Sequence, residues 1–304
     1  MAFISILEVP EVSSISPKAT NTSQSPPCPI PPLPSQVACA STRSFNCFPL
    51  GTVKPDSGTS KKTSLIVHEQ DEPNKELQFA INTNLGVSDK LIDKLISKIK
   101  RIEDEGRVKE LILFTSVDTW GDHAEYIRNG LEFNKFWDNI NKIMTKCPKV
   151  IITFMVTYNM LSVFSFDKLI KGVYDLKREY AGDDRYWLSP VLLDTSYLRH
   201  PKHQTVQILP HQFKQNIFDQ AQLAFYYGIP YYSKGYVGYS DLEIQKLKRT
   251  YDWAISPIKD DELHKARYNF YKFFSEHDKR RGTNFCKTYP ELEEFYNFTK
   301  TIQL

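Results

Sequence analysis

The chain has 304 residues, of which 41% are hydrophobic and 25% are charged, and its formal net charge is +3. These values are ordinary for a globular chain and allow one large domain or two smaller ones. The small net charge gives no indication of a nucleic-acid partner. No stretch comes near the ~18–20 consecutive apolar residues of a membrane helix, so no membrane partner is expected.

The first 70 residues differ in composition from the rest of the chain. Ten of the 18 prolines fall within residues 1–66, together with many serines and only three acidic residues. Each proline removes a backbone donor and fixes φ, so residues 1–70 are predicted to be disordered or of low complexity. Two alternatives stay open. The segment is an organelle transit peptide, which its scarcity of arginine disfavours, or non-native sequence ahead of a truncated gene.

Beyond residue 70, short apolar segments alternate with amphipathic ones. Leu91, Ile92, Leu95, Ile96 and Ile99 recur at helical spacing, between a Ser88 cap and Gly106. Strands are predicted at 77–84, 109–118, 149–159 and within 187–201, and helices at 88–106, 134–146 and 165–181. The strand at 149–159 is apolar throughout, so burial on both faces is expected.

Strands that alternate with helices form βαβ units joined by right-handed crossovers. Residues 71–205 are therefore predicted to form an α/β domain with a parallel sheet. Residues 206–304 are predicted to be a helical region that packs on the sheet, with helices at 210–228, 240–255, 260–278 and 289–302.

Each predicted strand ends in hydrogen-bonding residues, and the segment SVDTWGDHAEYIRNG (116–130) is the richest in them. Ligands bind at the carboxyl ends of parallel strands, so a polar ligand site is one interpretation. The other is a capped helix, in which Asp122 caps a helix that begins at His123 and Glu125 completes the capping box. Capping leaves Ser116, Asp118 and Trp120 unexplained.

The cysteines and histidines give little indication of a metal site. Five cysteines, odd in number and widely separated, favour a reducing and hence cytoplasmic compartment over a disulfide framework: Cys28, Cys39, Cys47, Cys147 and Cys286. The pair His200 and His203 has no further ligand at a suitable spacing. Lys279, Arg280 and Arg281 indicate a helix terminus.

Several segments resemble radical S-adenosylmethionine proteins of the twitch-domain-containing type. They are LQFAINTNL, FTSVDTWGDHAEYIRNGLEFNKFWDNI, ITFMVTYNMLSV and, near the end, FYKFFSEHDKRRGTNFCKTYPELEEFYN. The resemblance covers about residues 76–300 and implies a partial (β/α) barrel. It also implies S-adenosylmethionine and a 4Fe–4S cluster held by three closely spaced cysteines, since these cofactors perform the family's chemistry.

By position, the resemblance implies a set of cofactor-binding residues along the strand ends. They are Asn82 and Asn84 at the barrel mouth, Ser116 and Asp118 near the carboxylate and ribose, Thr157 and Asn159 near the ribose or adenine, and Asp194 and Arg199 on the next rim.

The chain departs from the family where the chemistry is carried. It has no CxxxCxxC and no GGEP-like turn before NTNL. The first hypothesis is a truncated or cluster-lacking family member, an incomplete barrel without radical chemistry. The alternative is a non-catalytic module that binds a ligand or a protein partner on the half barrel. A third hypothesis is a dead gene product with an exposed sheet edge, and an unusual cluster loop built from Cys28, Cys39 and Cys47 stays open.

Overall fold

The protein is described by a computed structural model that covers residues 4–7, 73–181, 189–228 and 237–304. The predictions for residues 8–70, including the three cysteines there, lie outside these residues. The described part of residues 1–70 is one short strand.

In the described part of the chain, five strands form one sheet in the order β1-β2-β3-β4-β5. Strand β1 is antiparallel to β2, and β2, β3, β4 and β5 are parallel to one another. Their bounds are β1 (Ile4–Leu7), β2 (Asn74–Thr83), β3 (Val108–Ser116), β4 (Ile151–Tyr158) and β5 (Val191–Tyr197). The predicted α/β class with a parallel sheet is confirmed.

Helices connect the parallel strands and fill the C-terminal region, as predicted. Between the strands lie α1 (Asp89–Asp104), α2 (Gly121–Ile127), α3 (Phe133–Lys146) and α4 (Phe166–Glu179). After β5 come α5 (His211–Gly228), α6 (Asp241–Ile255), α7 (Asp260–Arg281), α8 (Phe285–Thr288) and α9 (Glu293–Lys300). No helix among the described residues is long and apolar enough to cross a membrane.

The ends of α1 follow the sequence signals only in part. Ser88 stands at the N-cap position, but its side chain makes no capping hydrogen bond. Its carbonyl accepts the N–H groups of Leu91 and Ile92 instead. At the other end, Gly106 adopts φ +59°, a left-handed conformation that glycine adopts without a Cβ clash.

The helices α3 and α4 cover one face of the parallel strands. The ring of Phe154 on β4 stacks on Trp137 of α3 at 5.7 Å between centroids. The ring of Tyr158 meets Phe166 of α4 edge-on at 4.8 Å. Both side chains are fully buried. This face is the main core of the sheet.

The other face, here called the second face, carries the alternate residues of the same strands. The register places them in three rows: Asn82, Phe114, Thr153 and Leu192; Ser116, Met155 and Asp194; Thr157 and Ser196. Thr153 is buried, whereas the last row is exposed. The expectation that β4 is buried on both faces is therefore wrong at its carboxyl end, where the second face becomes accessible.

A buried ion pair provides hydrogen-bond partners for the backbone groups at the outer edge of β5. Lys177 of α4 is 0% exposed and Glu243 of α6 is 7% exposed, with Nζ and Oε1 3.0 Å apart. Lys177 donates to the carbonyl of Val191 at 2.7 Å, and Glu243 accepts the N–H of Leu193 at 2.8 Å. These two backbone groups point away from β4. The pair thus joins α4 and α6 to the sheet edge.

We predict that Gly172→Ala destabilises the protein. In an exposed helix this change is favourable, but a Cβ on Gly172 would collide with Trp120 Cζ3 and lie 2.8 Å from Trp120 Cη2. Overpacking of this kind costs about 1–3 kcal/mol in the free energy of unfolding. Urea denaturation measures it. Gly86→Ala is the control, since its Cβ would meet Leu131 Cδ1 at 3.5 Å and Asn84 O at 3.8 Å, which are both ordinary contacts. Equal stability of both variants contradicts the packing described.

We predict that Lys177→Met costs about 3–5 kcal/mol, because it leaves the Glu243 carboxylate buried without its partner. The control is Lys171→Met on the same helix, where the ion pair with Asp175 is 63% and 51% exposed. Exposed pairs contribute about 0–1 kcal/mol. Chemical denaturation of both variants measures the difference, and similar values for the two would refute the role of the buried pair.

Candidate ligand-binding edge of the sheet

Because the strands are parallel, the carboxyl ends of β2 to β5 lie side by side along one end of the sheet. We call this end the strand-end edge. Asn82, Ser116, Thr157 and Asp194 all point to the second face there, as their register shows. The side chains of Asn82, Ser116 and Thr157 make no hydrogen bond within the described ranges. The sheet therefore presents several unbonded polar groups on one accessible surface.

Asp118 follows β3 and holds the strand ends together. Its side chain is 6% exposed, and Oδ2 lies 2.9 Å from Arg128 Nε. Its Oδ1 accepts hydrogen bonds from Arg128 Nη2 at 3.1 Å and from the N–H of Thr157 at 2.8 Å. Both oxygens of Asp118 thus have protein partners, which gives this residue a positioning role between β3, β4 and Arg128. We call this arrangement the Asp118 clasp.

Three other predicted site residues also have local partners. Asn159 forms a turn, with Oδ1 accepting the N–H of Leu161 at 3.0 Å and Nδ2 donating to Thr157 O at 3.1 Å. Asp194 accepts from Lys246 of α6 at 2.6 Å. Arg199 donates to the Tyr197 hydroxyl at 3.0 Å.

Asn84 is exposed and follows β2 directly. Its carbonyl accepts the N–H of Gly86 at 2.6 Å. The structure thus brings Ser116, Asp118 and Thr157 together, and it gives Asn84 and Arg199 no contact with that group among the described residues.

Trp120, which the sequence left unexplained, is half-buried and packs against α3. Its ring lies 4.7 Å from that of Phe133 and 4.6 Å from that of Trp137, both on α3. Gly172 on α4 provides the space for it. Trp120 therefore fixes α3 against α4 at the base of the strand-end edge.

The predicted capping box at residues 122–125 is wrong. The helix α2 begins at Gly121, its N-cap position is Trp120, and no side chain caps it. Glu125 accepts the N–H of Phe133 at 2.7 Å, which is a contact to the start of α3. Asp122 is exposed in the first turn of α2, where its charge complements the helix dipole. The spacing of Asp122 and Glu125 suggested that they cap α2 together, but Glu125 contacts α3 instead.

Sequence reasoning missed that α2 is joined to the C-terminal segment. His123 Nε2 donates to the carbonyl of Thr288 at 2.8 Å, since a carbonyl can only accept. Its Nδ1 lies 2.9 Å from the Ser165 hydroxyl, and its ring stacks on Tyr289 at 4.3 Å. No local signal could reveal a contact between residues 165 positions apart.

The end of α7 completes this junction. Asp278 accepts from the Tyr126 hydroxyl at 2.8 Å and from the N–H of Phe285 at 2.6 Å. A cleft of about 420 Å³ lies beside it, lined by Asp122, His123, Gly282, Thr283, Asn284, Lys287 and Thr288.

As the sequence indicated, Lys279, Arg280 and Arg281 occupy the last turn of α7, where Arg280 pairs with Glu276 at 2.7 Å.

The described residues do not fit an iron–sulfur cluster. Cys147 is buried after α3, where its thiol faces the carbonyl of Ile96 and burial raises its pKa to about 12. Cys286 lies in α8, and His203 packs against Phe273. Within the described ranges, no three His, Cys, Asp or Glu residues are placed to hold a metal ion.

No family model, curated protein or solved structure matches this chain.

We predict that His123 makes folding sensitive to acid. Burial is the main cause that lowers the pKa of His123 from its ordinary 6.5. The proton therefore binds the unfolded chain more tightly. The stability contributed by neutral His123 is complete above pH 6.5 and is lost as the pH falls from 6.5 through the lowered pKa.

Urea midpoints at about pH 7.5 and about pH 5 measure this loss. His123→Gln should show a smaller loss than the wild type. Part of the loss remains in this variant, because burial also lowers the pKa of His203 and of His277. The exposed His211→Gln should behave as the wild type. An unchanged pH dependence in His123→Gln would contradict the account.

Proposed function

We propose that the sheet is a section of a radical-S-adenosylmethionine-type (β/α) barrel that binds a nucleoside-like ligand at its strand-end edge. S-adenosylmethionine is the ligand that the resemblance implies. The proposal involves binding without radical chemistry, since the described residues do not supply cluster ligands.

The observation that carries the proposal is the consecutive order of the parallel strands. A doubly wound sheet reverses its strand order and has helices on both faces. Here β2 to β5 follow one another in chain order, so right-handed crossovers put α1, α3 and α4 on the same side. Such an order is expected of consecutive barrel units and supports the proposal, in which the second face would be the barrel interior.

The distribution of polar groups supports the same proposal. In barrels of this kind, ligands are bound by residues at the carboxyl ends of the strands. Thr157 and Ser196 are exposed register partners at that end. Their hydroxyl groups suit the hydroxyls of a ribose, which both donate and accept hydrogen bonds.

Apolar residues in the middle of the second face support a second candidate, a protein-binding module. Phe114, Met155 and Leu192 are only half-buried there. Half-buried apolar side chains beside a polar rim are typical of interaction surfaces. In this case the strand-end hydroxyl groups would contribute little, and the apolar residues would carry the affinity.

Isothermal titration calorimetry with S-adenosylmethionine tests the first proposal. We predict saturable binding, weakened roughly three- to tenfold in Thr157→Val, because the substitution removes one hydrogen bond and keeps the shape. Thr157 is exposed, so the variant should fold. Thr301→Val, at the end of α9, should bind as the wild type does. No heat of binding, or equal affinity of Thr157→Val, would disprove the proposal.

A further inference from the structure

We propose that Arg128, oriented by Asp118, recognises a carboxylate group of the ligand at the strand-end edge. The inference rests on the proposed function and names a chemical feature of the ligand. Arg128 was not among the residues that the sequence indicated. Its position became apparent only from the Asp118 clasp.

The guanidinium of Arg128 is held on one side and free on the other. Asp118 Oδ2 lies 2.9 Å from Nε, a buried atom that makes no hydrogen bond among the described residues, and Asp118 Oδ1 accepts a hydrogen bond from Nη2 at 3.1 Å. An arginine has five N–H donors in a rigid planar fork. The remaining donors, on Nη1 and the outer side of Nη2, make no hydrogen bond within the described residues. The Arg128 side chain is 33% exposed, and Nη1 is not among its buried atoms.

The free side of the guanidinium is close to the polar strand ends. Arg128 Nη2 and the N–H of Thr157 donate to the same atom, Asp118 Oδ1. Asp118 Oδ1 therefore links Nη2 to the carboxyl end of β4 through two hydrogen bonds. In S-adenosylmethionine a flexible chain joins the ribose to the carboxylate, so a ligand whose ribose is bound by the Thr157 hydroxyl can extend its carboxylate to the guanidinium.

A planar fork with two parallel donors matches a carboxylate, which has two acceptor oxygens in one plane. Asp118 restricts the rotation of the guanidinium, so little conformational entropy is lost when the ligand binds. Neutralisation of the buried Asp118 explains the ion pair by itself. If neutralisation were the whole role of Arg128, the unbonded donors of its guanidinium would not need to be exposed. Arg128 would then have no effect on which ligand binds.

A pair of ligands that differ only in the carboxylate separates these readings. The two ligands are S-adenosylmethionine and decarboxylated S-adenosylmethionine, titrated by calorimetry into the wild type and Arg128→Lys. The lysine keeps a positive charge for Asp118 and loses the fork. Thermal melting checks that the variant folds. Arg280→Lys is the control, since Arg280 pairs with Glu276 on an exposed part of α7.

We expect Arg128→Lys to weaken the binding of S-adenosylmethionine about tenfold and to leave that of the decarboxylated ligand unchanged, because a charge-assisted bidentate contact is lost. Arg280→Lys should bind both ligands as the wild type does. Unchanged affinity for S-adenosylmethionine in Arg128→Lys, or an equal loss for both ligands, would overturn the role of Arg128 and leave the proposed function intact.

If neither ligand binds the wild type, the proposed function fails and a second measurement decides on Arg128. Sodium acetate is then titrated while the arginine side-chain ¹⁵N–¹H resonances are followed by NMR, with the Arg128 signal assigned by its loss in Arg128→Lys. A saturable shift confined to that signal supports a carboxylate site. No shift, or a uniform shift of all arginine signals, overturns the inference.

Discussion

The order of the parallel strands is the constraint on which the rest of the structure depends. Because β2 to β5 are neighbours both in the chain and in the sheet, each crossover returns on the same side. The helices therefore share one face, and the large aromatic side chains of β4 pack under them. The second face carries apolar side chains in its middle and polar side chains towards the carboxyl ends of the strands, where it becomes more accessible.

Two electrostatic arrangements stabilise the ends of this sheet in different ways. At the outer edge of β5, Lys177 and Glu243 bind backbone groups that would otherwise be buried without partners. A parallel strand edge left open would be a site for pairing with other chains. At the strand ends, the Asp118 clasp joins β3 to β4 and fixes Arg128. The first arrangement provides partners for the backbone groups at the outer edge of β5, and the second holds Arg128 beside the carboxyl ends of β3 and β4.

The sequence predicted the elements better than it predicted the contacts between them. Helical spacing located α1 and α3 within a residue or two, because each has an apolar stripe that packs on the sheet. The predicted capping box at Asp122 was wrong because it considered only residues within one helical turn. Glu125 instead accepts the N–H of Phe133, at the start of the next helix. The packing of Trp120 could not be predicted from the sequence either, since its ring fits only because Gly172, in another helix, has no side chain.

The placement of the candidate site residues on one face of the sheet was predictable, and their contacts were predictable only in part. Polar residues after four apolar runs indicated the strand-end edge, and the register places Asn82, Ser116, Thr157 and Asp194 on one face. The sequence could not reveal that Asp118 is paired with Arg128 and Thr157, because this pairing depends on the path of the chain through α2, which lies between β3 and Arg128. The junction of His123 with Thr288 could not be predicted either, because these residues are 165 positions apart in the sequence.

A crystal structure of the protein with S-adenosylmethionine tests the central claim most directly, because it locates the ligand without assuming its contacts. The account predicts ligand density at the carboxyl ends of β3, β4 and β5, beside Thr157 and the free side of Arg128. Density in the cleft beside His123, or at the opposite end of the strands, would contradict it.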